Sequence, residues 1–135
     1  MSEQENVQVV QQAFVAFGQG DIPAVLKLLA DDVQWRAFGP PKILPWAGTY
    51  HGPEGAGQFF MALAGATEFQ QFEPREFIAQ GDRVVVLGHS RITIRANGRV
   101  NEPDWVMVFT VRDGKIADYQ YLDDTAEAVA AVQGN

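Results

Sequence analysis

The sequence has 135 residues, no cysteine, and ten Lys and Arg residues against seventeen Asp and Glu, which gives a formal net charge of −7. With 47% hydrophobic and 20% charged residues, the chain carries enough apolar side chain to fill a core. Its length favours a single domain over residues 1–135. The excess negative charge argues against partners such as nucleic acid or an anionic membrane surface, because both need a clustered basic face. The lack of cysteine excludes disulfides and thiolate metal sites.

No targeting or membrane-spanning segment is predicted. Residues 1–6 are polar and acidic, whereas a secretory signal begins with a basic region followed by an apolar run. No apolar run approaches the ~20 residues that a membrane span needs. The expected location is therefore the cytoplasm.

Two helices are predicted at the start of the chain. Ser2 and Glu5 form a possible capping box, and Gly18 ends the first helix. Asp21 is the expected cap of a short second helix that runs to Leu29. The first helix carries its apolar residues at helical spacing, namely Val7, Val10, Phe14 and Phe17.

A strand, a loop and a third helix follow. Residues 33–38 alternate in hydrophobicity, which places Val33, Trp35 and Ala37 on one face of a strand. Residues 39–52 contain three prolines and three glycines, and they are interpreted as a loop and a candidate lid. Pro53 then opens a helix that has Ala56, Phe59, Phe60 and Leu63 on one side.

The second half of the chain is rich in strands. Four are predicted, over residues 69–78, 83–95, 99–111 and 116–122, and Gly-Asp, Asn-Gly and Asp-Gly pairs mark the turns between them. A last helix begins after Asp124. This order predicts an α+β fold in which helices cover one face of an antiparallel sheet.

The strand over residues 99–111 is apolar on both faces. Trp105, Met107 and Phe109 share one face, and Val106 and Val108 share the other. The chain has too few helices to cover both faces of the sheet. We therefore expect a homodimer in which a second copy packs against the outer face of the sheet.

Several short runs resemble a known family. They are Gly20-Asp21, residues 30–35, residues 48–52, Phe59-Phe60, Gly98-Arg99, residues 105–109, residues 112–116 and Asp124-Thr125. In this order and spacing they resemble the SnoaL-like and ketosteroid-isomerase-like branch of the nuclear transport factor 2-like superfamily, over nearly the whole chain. The resemblance implies a cone-shaped, curved antiparallel sheet wrapped around the long N-terminal helix, with an apolar cavity open at one end. It also implies a homodimer packed sheet to sheet.

The known activities of this superfamily are steroid isomerisation, polyketide cyclisation, dehydration and epoxide hydrolysis, and many members only bind ligands. The fold alone therefore does not decide the function. The general base of the ketosteroid isomerases aligns with Ala37, and their tyrosine aligns with Ala13 or Phe14. Their protonated aspartate falls near Met107 or Val106. Steroid isomerisation by that mechanism is therefore not expected.

Two aspartates are the candidate catalytic residues. SnoaL-like cyclases use one aspartate near the cavity mouth, and the resemblance implies Asp124 for that role, whereas Asp124 with Glu127 also fits a helix cap. Asp104 follows Pro103 beside a strand end, where it is either a solvated turn residue or, if buried, a proton carrier. With no cysteine, motif lysine or inward histidine, carboxylates remain by elimination.

The predicted ligand is a small hydrophobic compound. The residues expected to line its pocket are Phe17, Trp35, Ala37, Trp46, Tyr50, Phe60, Trp105 and Met107. His51 and His89 make no metal signature, and neither a metal nor another cofactor is predicted. The leading interpretation is a cofactor-free isomerase, cyclase or dehydratase that moves a proton on a hydrophobic carbonyl compound. The alternative is a non-catalytic ligand-binding or dimerisation module.

Overall fold

A long N-terminal helix and a curved seven-stranded sheet make up most of the structure, a computed structural model that describes residues 2–134. The helices are α1 (Glu3–Gly18), α2 (Ile22–Lys27), α3 (Gly52–Ala66) and α4 (Thr125–Gln133). The strands are β1 (Leu29–Ala37), β2 (Gly48–His51), β3 (Thr67–Gln80), β4 (Arg83–Ile94), β5 (Val100–Asn101), β6 (Asp104–Arg112) and β7 (Lys115–Leu122). The α+β class predicted from the sequence is confirmed.

The helix starts are held by the side chains that the sequence indicates. Ser2 Oγ accepts the Glu5 N–H at 3.1 Å, and Glu5 Oε1 accepts the Ser2 N–H at 3.0 Å, so the capping box is confirmed. Asp21 caps α2 through the Ala24 N–H at 3.1 Å. Within residues 2–134 no helix is long and apolar enough to cross a membrane.

The strand order is β2-β1-β7-β6-β4-β3, with β5 paired to β4. All neighbours are antiparallel except β1 and β7, which run parallel, so the prediction of a purely antiparallel sheet is wrong in this one pair. The reason is that α3 connects β2 to β3 at opposite edges of the sheet without reversing the chain direction. Parallel neighbours need such a crossover. Three hairpin reversals later, β7 meets β1 in the same direction.

Several predicted boundaries differ from the structure. The second helix, predicted to run to Leu29, ends at Lys27, and the strand predicted over residues 33–38 begins at Leu29 as β1. The strand expected over residues 99–111 is split into β5 and β6 at Glu102 and Pro103. Proline has no N–H to give to a strand ladder, and the Pro103 carbonyl instead accepts the Ser90 N–H at 3.0 Å. The loop over residues 39–52 ends in β2 and has buried side chains at Leu44 and Trp46, because these residues complete the core.

The two faces of the sheet have different environments. α1 and α3 pack on the inner face, where the Phe14 ring makes edge contacts with Phe72, Phe77 and Phe109. The buried side chains of β6 are Trp105, Met107, Phe109, Thr110 and Val111. Val106 and Val108 lie on the outer face and are half-buried. The alternation predicted for this strand is confirmed.

We predict that Gly88→Ala destabilises the fold. Gly88 lies on β4 beneath the Trp105 indole, and a Cβ built there would overlap the ring. Overpacking of this kind costs about 1–3 kcal/mol, so chemical denaturation should show a lower free energy of unfolding. Gly65→Ala is the matched control, because its Cβ would meet open space in α3 and alanine favours a helix. Equal stability of the two variants would contradict this packing.

Candidate functional site

An apolar cavity of about 80 Å³ lies between the inner face of the sheet and the helices α1, α2 and α3. Most of its wall is aromatic, formed by Phe14, Phe17, Trp35, Trp46, Phe59, Phe60, Phe69, Phe72, Phe109, Tyr119 and Tyr121. Apart from the tyrosines and tryptophans, the polar side chains of the wall are Ser90, Asn101 and Asp123. A cavity with few polar groups in an apolar wall is typical of a small-molecule site.

Ring contacts fix the shape of the wall. Trp35 of β1 stacks on Tyr119 of β7 with ring centroids 3.7 Å apart and an interplanar angle of 13°. Phe72 of β3 stacks on Trp105 of β6 at 5.4 Å and 16°. Aromatic pairs add about 0.5–1.5 kcal/mol each beyond the area that they bury, so the rings hold each other in place.

Asp123 is the one carboxylate among the described residues that line the cavity. Its Oδ2 accepts the Tyr121 hydroxyl at 2.9 Å. Burial raises the pKa of Asp123; the Tyr121 hydrogen bond opposes this shift, and the neighbouring Asp124 charge adds to it. Burial, with the negative charge of Asp123, also raises the pKa of Tyr121, so the phenol stays protonated and remains a donor.

Five of the eight predicted ligand-binding residues line the cavity, namely Phe17, Trp35, Trp46, Phe60 and Met107. The lining does not include Ala37, which is buried in the core, or Tyr50, whose hydroxyl donates to the Trp46 carbonyl at 2.9 Å.

Trp105 is also outside the lining. It lies on the inner face as predicted, but its ring packs over Gly88 and its Nε1 donates to Ser90 Oγ at 2.8 Å. Of the three indoles predicted for the pocket, Trp105 is therefore the one that belongs to the supporting layer behind the wall.

The structure places both predicted catalytic aspartates away from the cavity. Asp104 lies on the outer face of β6 with its side chain 85% exposed, and its Oδ1 is 2.8 Å from His89 Nδ1. Asp124 is the cap of α4, where Oδ1 accepts the Ala126 and Glu127 N–H groups at 3.1 and 3.3 Å. No group of three or more His, Asp and Glu within residues 2–134 is arranged to hold a metal ion.

Sequence reasoning missed Asp123, although a signal for it exists. Tyr119 and Tyr121 alternate on the inner face of β7, and the same period of two reaches Asp123 just beyond the strand end. The two neighbouring aspartates therefore have different surroundings: Asp123 faces the cavity, whereas Asp124 caps α4. The resemblance to SnoaL-like cyclases implied the neighbouring Asp124 instead, and the structure agrees with the alternative interpretation of Asp124 as a helix cap.

We predict that Asp123→Asn stabilises the fold at neutral pH. Because the folded-state pKa of Asp123 is raised, the folded chain binds this proton more tightly than the unfolded chain does. Stability then falls as the pH rises from the ordinary Asp pKa of about 3.9 through the raised value. Melting curves should place the variant a few degrees above the wild type at about pH 7, with the difference shrinking below about pH 4.

The exposed Asp32 on β1 provides the control for this comparison. Asp32→Asn removes the same negative charge outside the cavity and should raise the melting temperature at about pH 7 less than Asp123→Asn does. An Asp123→Asn variant that differs from the wild type by the same amount at every pH would contradict the placement of this carboxyl.

Comparisons with known proteins agree with the fold. A family model described as a SnoaL-like domain matches residues 10–119. None of the curated proteins matches the chain. Among solved structures, the chain is similar to an NTF2-like protein of Burkholderia xenovorans LB400, with 36% identity, 98% of each chain covered and a TM-score of 0.89. It is similar to an NTF2-like protein of unknown function from Burkholderia pseudomallei K96243, with 32% identity, 98% of each chain covered and a TM-score of 0.88.

A third similar structure is that of TerC co-crystallised with polyporic acid, with 29% identity, 96% of this chain and 98% of that chain covered, and a TM-score of 0.84. The family match spans most of the chain, and the curved sheet around α1 is the cone that the resemblance implied. The chain belongs to the SnoaL-like family within the nuclear transport factor 2-like superfamily.

Proposed function

We propose that this protein binds a small hydrophobic carbonyl compound in the aromatic cavity and moves a proton on it with Asp123, without a cofactor. The observation that carries the proposal is the Asp123–Tyr121 pair in a mostly apolar wall. A carboxylate costs free energy in such a place unless it is paired, and here one phenol is its partner. The remaining oxygen is available to a ligand.

The chemistry that fits this pair is proton transfer at a carbon next to a carbonyl. The Asp123 carboxylate accepts the proton as the C–H bond breaks, and the electron pair moves onto the carbonyl oxygen as an enolate. The proton returns to the same or another carbon, which gives exchange or isomerisation. Burial makes Asp123 a stronger base than an exposed aspartate, and it brings its pKa towards the operating pH, as general acid–base catalysis requires.

Ligand entry requires movement at the rim of the cavity. At about 80 Å³ the cavity is roughly half the size of a 150 Å³ engineered cavity that admits benzene. The rim holds the side chains best able to move, because Phe69 is 36% exposed and Phe17 and Phe72 are half-buried. Phe69 and Phe72 belong to β3, an edge strand with a register shift between Phe69 and Gln71. An edge strand loses fewer backbone hydrogen bonds when it shifts.

The co-crystallisation of TerC with polyporic acid supports a small organic ligand for a chain this similar. The alternative is a module that binds such a ligand without turnover. The two functions differ in one respect that can be measured, which is whether a bound carbon acid exchanges its protons.

We predict that the protein exchanges the acidic C1 protons of 2-tetralone, a bicyclic ketone, for deuterium in D₂O. Proton NMR should show an accelerated loss of the C1 signal, and Asp123→Asn should slow it by about 100-fold or more. Asp104→Asn is the control and should exchange at the wild-type rate, because Asp104 lies on the outer face. Binding without exchange would favour the non-catalytic module, and full exchange by Asp123→Asn would exclude Asp123 as the base.

We also propose that two copies pair through the outer face of the sheet. Its apolar side chains form one continuous patch by strand register, because Ile78 pairs with Val85, Val85 with Val108, Leu87 with Val106, and Val106 with Leu122. Ile78 is 47% exposed in the single chain, and Leu122 is also exposed. A contiguous apolar patch of this kind favours an interface.

We predict a dimer that buries an interface of order 1,600 Å² in total. Val106→Arg would place a charge in the middle of the patch, and light scattering should then report a single chain of 14.9 kDa. Met61→Arg on α3 is the control, since Met61 is exposed away from the sheet, and this variant should remain a dimer. A wild-type mass of 14.9 kDa at micromolar concentration would contradict the pairing.

A further inference from the structure

The indole N–H of Trp35 is a buried donor without a partner. Trp35 is only 4% exposed, it lines the cavity, and its Nε1 makes no hydrogen bond within residues 2–134. The indole of Trp105, which is also buried, behaves differently, because its Nε1 donates to Ser90 Oγ at 2.8 Å. Buried donors are nearly always paired, so an unpaired one in a cavity wall needs an explanation.

Stacking prevents this indole from finding a partner elsewhere in the protein. The ring lies flat on Tyr119 at 3.7 Å, and Phe59 and Phe60 pack against it at 5.8 and 5.5 Å. None of these neighbours accepts a hydrogen bond from the Trp35 N–H, and their rings leave the indole little freedom to rotate. An acceptor brought into the cavity by a ligand would remove the cost of leaving this N–H unpaired.

Strand register places this donor far from the acid. Trp35 pairs with Tyr119 in the parallel β1–β7 ladder, and Asp123 lies four residues further along the chain. At about 3.3 Å per residue, the two backbone positions are separated by ~13 Å along the strand direction. The two side chains and their hydrogen bonds take up part of that length, and a bicyclic skeleton spans the rest.

We propose that the Trp35 N–H binds a hydrogen-bond acceptor at the end of the ligand remote from the carbon that Asp123 deprotonates. This inference rests on the proposed function and adds a substrate class to it: flat, hydrophobic ketones with a second oxygen function at their far end. Trp35 then acts as a positioning residue, because it sets which carbon of the ligand faces Asp123.

The test compares two ketones that differ only at the far end. We expect 6-methoxy-2-tetralone to bind the wild type roughly 3- to 10-fold more tightly than 2-tetralone in calorimetry, the range of one net hydrogen bond. Trp35→Phe keeps an aromatic ring and removes the donor, so the preference for the methoxy compound should fall to about onefold. A preference that survives unchanged in Trp35→Phe would overturn the inference.

Two further measurements separate the lost donor from a damaged core. Trp105→Phe makes the same reduction in ring size, but it also removes the hydrogen bond to the buried Ser90 hydroxyl. It should therefore lower the melting temperature more than Trp35→Phe does. In the wild type, the Trp35 indole N–H signal in NMR should move downfield with 6-methoxy-2-tetralone and much less with 2-tetralone. Equal shifts with both ketones would contradict the inference, even if Trp35→Phe does not fold.

Failure of the inference and failure of the proposed function give different results. If 2-tetralone binds and exchanges but the methoxy group brings no advantage that depends on Trp35, only the inference is wrong. If neither ketone binds, the proposed function is overturned and this inference with it.

Discussion

The parallel pairing of β1 with β7 is the constraint on which the candidate site depends. It is the one parallel contact in the described sheet, and it arises because α3 carries the chain from one sheet edge to the other. Its register sets Trp35 against Tyr119, and the inner-face alternation of β7 then continues through Tyr121 to Asp123. A shift of one residue would turn these side chains to the outer face. One ladder thus determines both the aromatic wall and the position of its acid.

The cavity combines strong packing with two polar groups whose bonding is incomplete. The wall is held by stacked and edge-on rings, which is ordinary core stabilisation. Asp123 has one phenol partner in a largely buried place, and the Trp35 N–H has no partner among the described residues. Both features cost stability in the folded chain, and a ligand with a suitable oxygen at each end would offset both. We interpret this local cost as a sign of function, since functional sites retain arrangements that a purely structural core avoids.

Much of the fold was predictable because local chemistry decides it. The caps at Ser2 and Asp21 and the alternation of β6 are short-range patterns, and the structure confirms each of them. The parallel pairing of β1 with β7 was not predictable from the sequence, because it depends on α3 leading the chain to the opposite edge of the sheet. The split at Pro103 is a local signal, but it competed with a strong strand pattern on both sides. The site was only partly predictable. Its aromatic residues indicate the cavity wall, but which of Asp123 and Asp124 faces the cavity depends on how the chain turns after β7 ends.

The proposed function requires Asp123 to be a partly buried, titrating acid that meets the ligand inside the cavity. Its most direct test is an NMR titration of the aspartate side-chain carboxyl carbons, with and without 2-tetralone. We expect the Asp123 signal to titrate above the ordinary Asp value of about 3.9 and its midpoint to move when the ketone binds. An Asp123 signal that titrates at the ordinary value and does not respond to the ketone would contradict this role of Asp123.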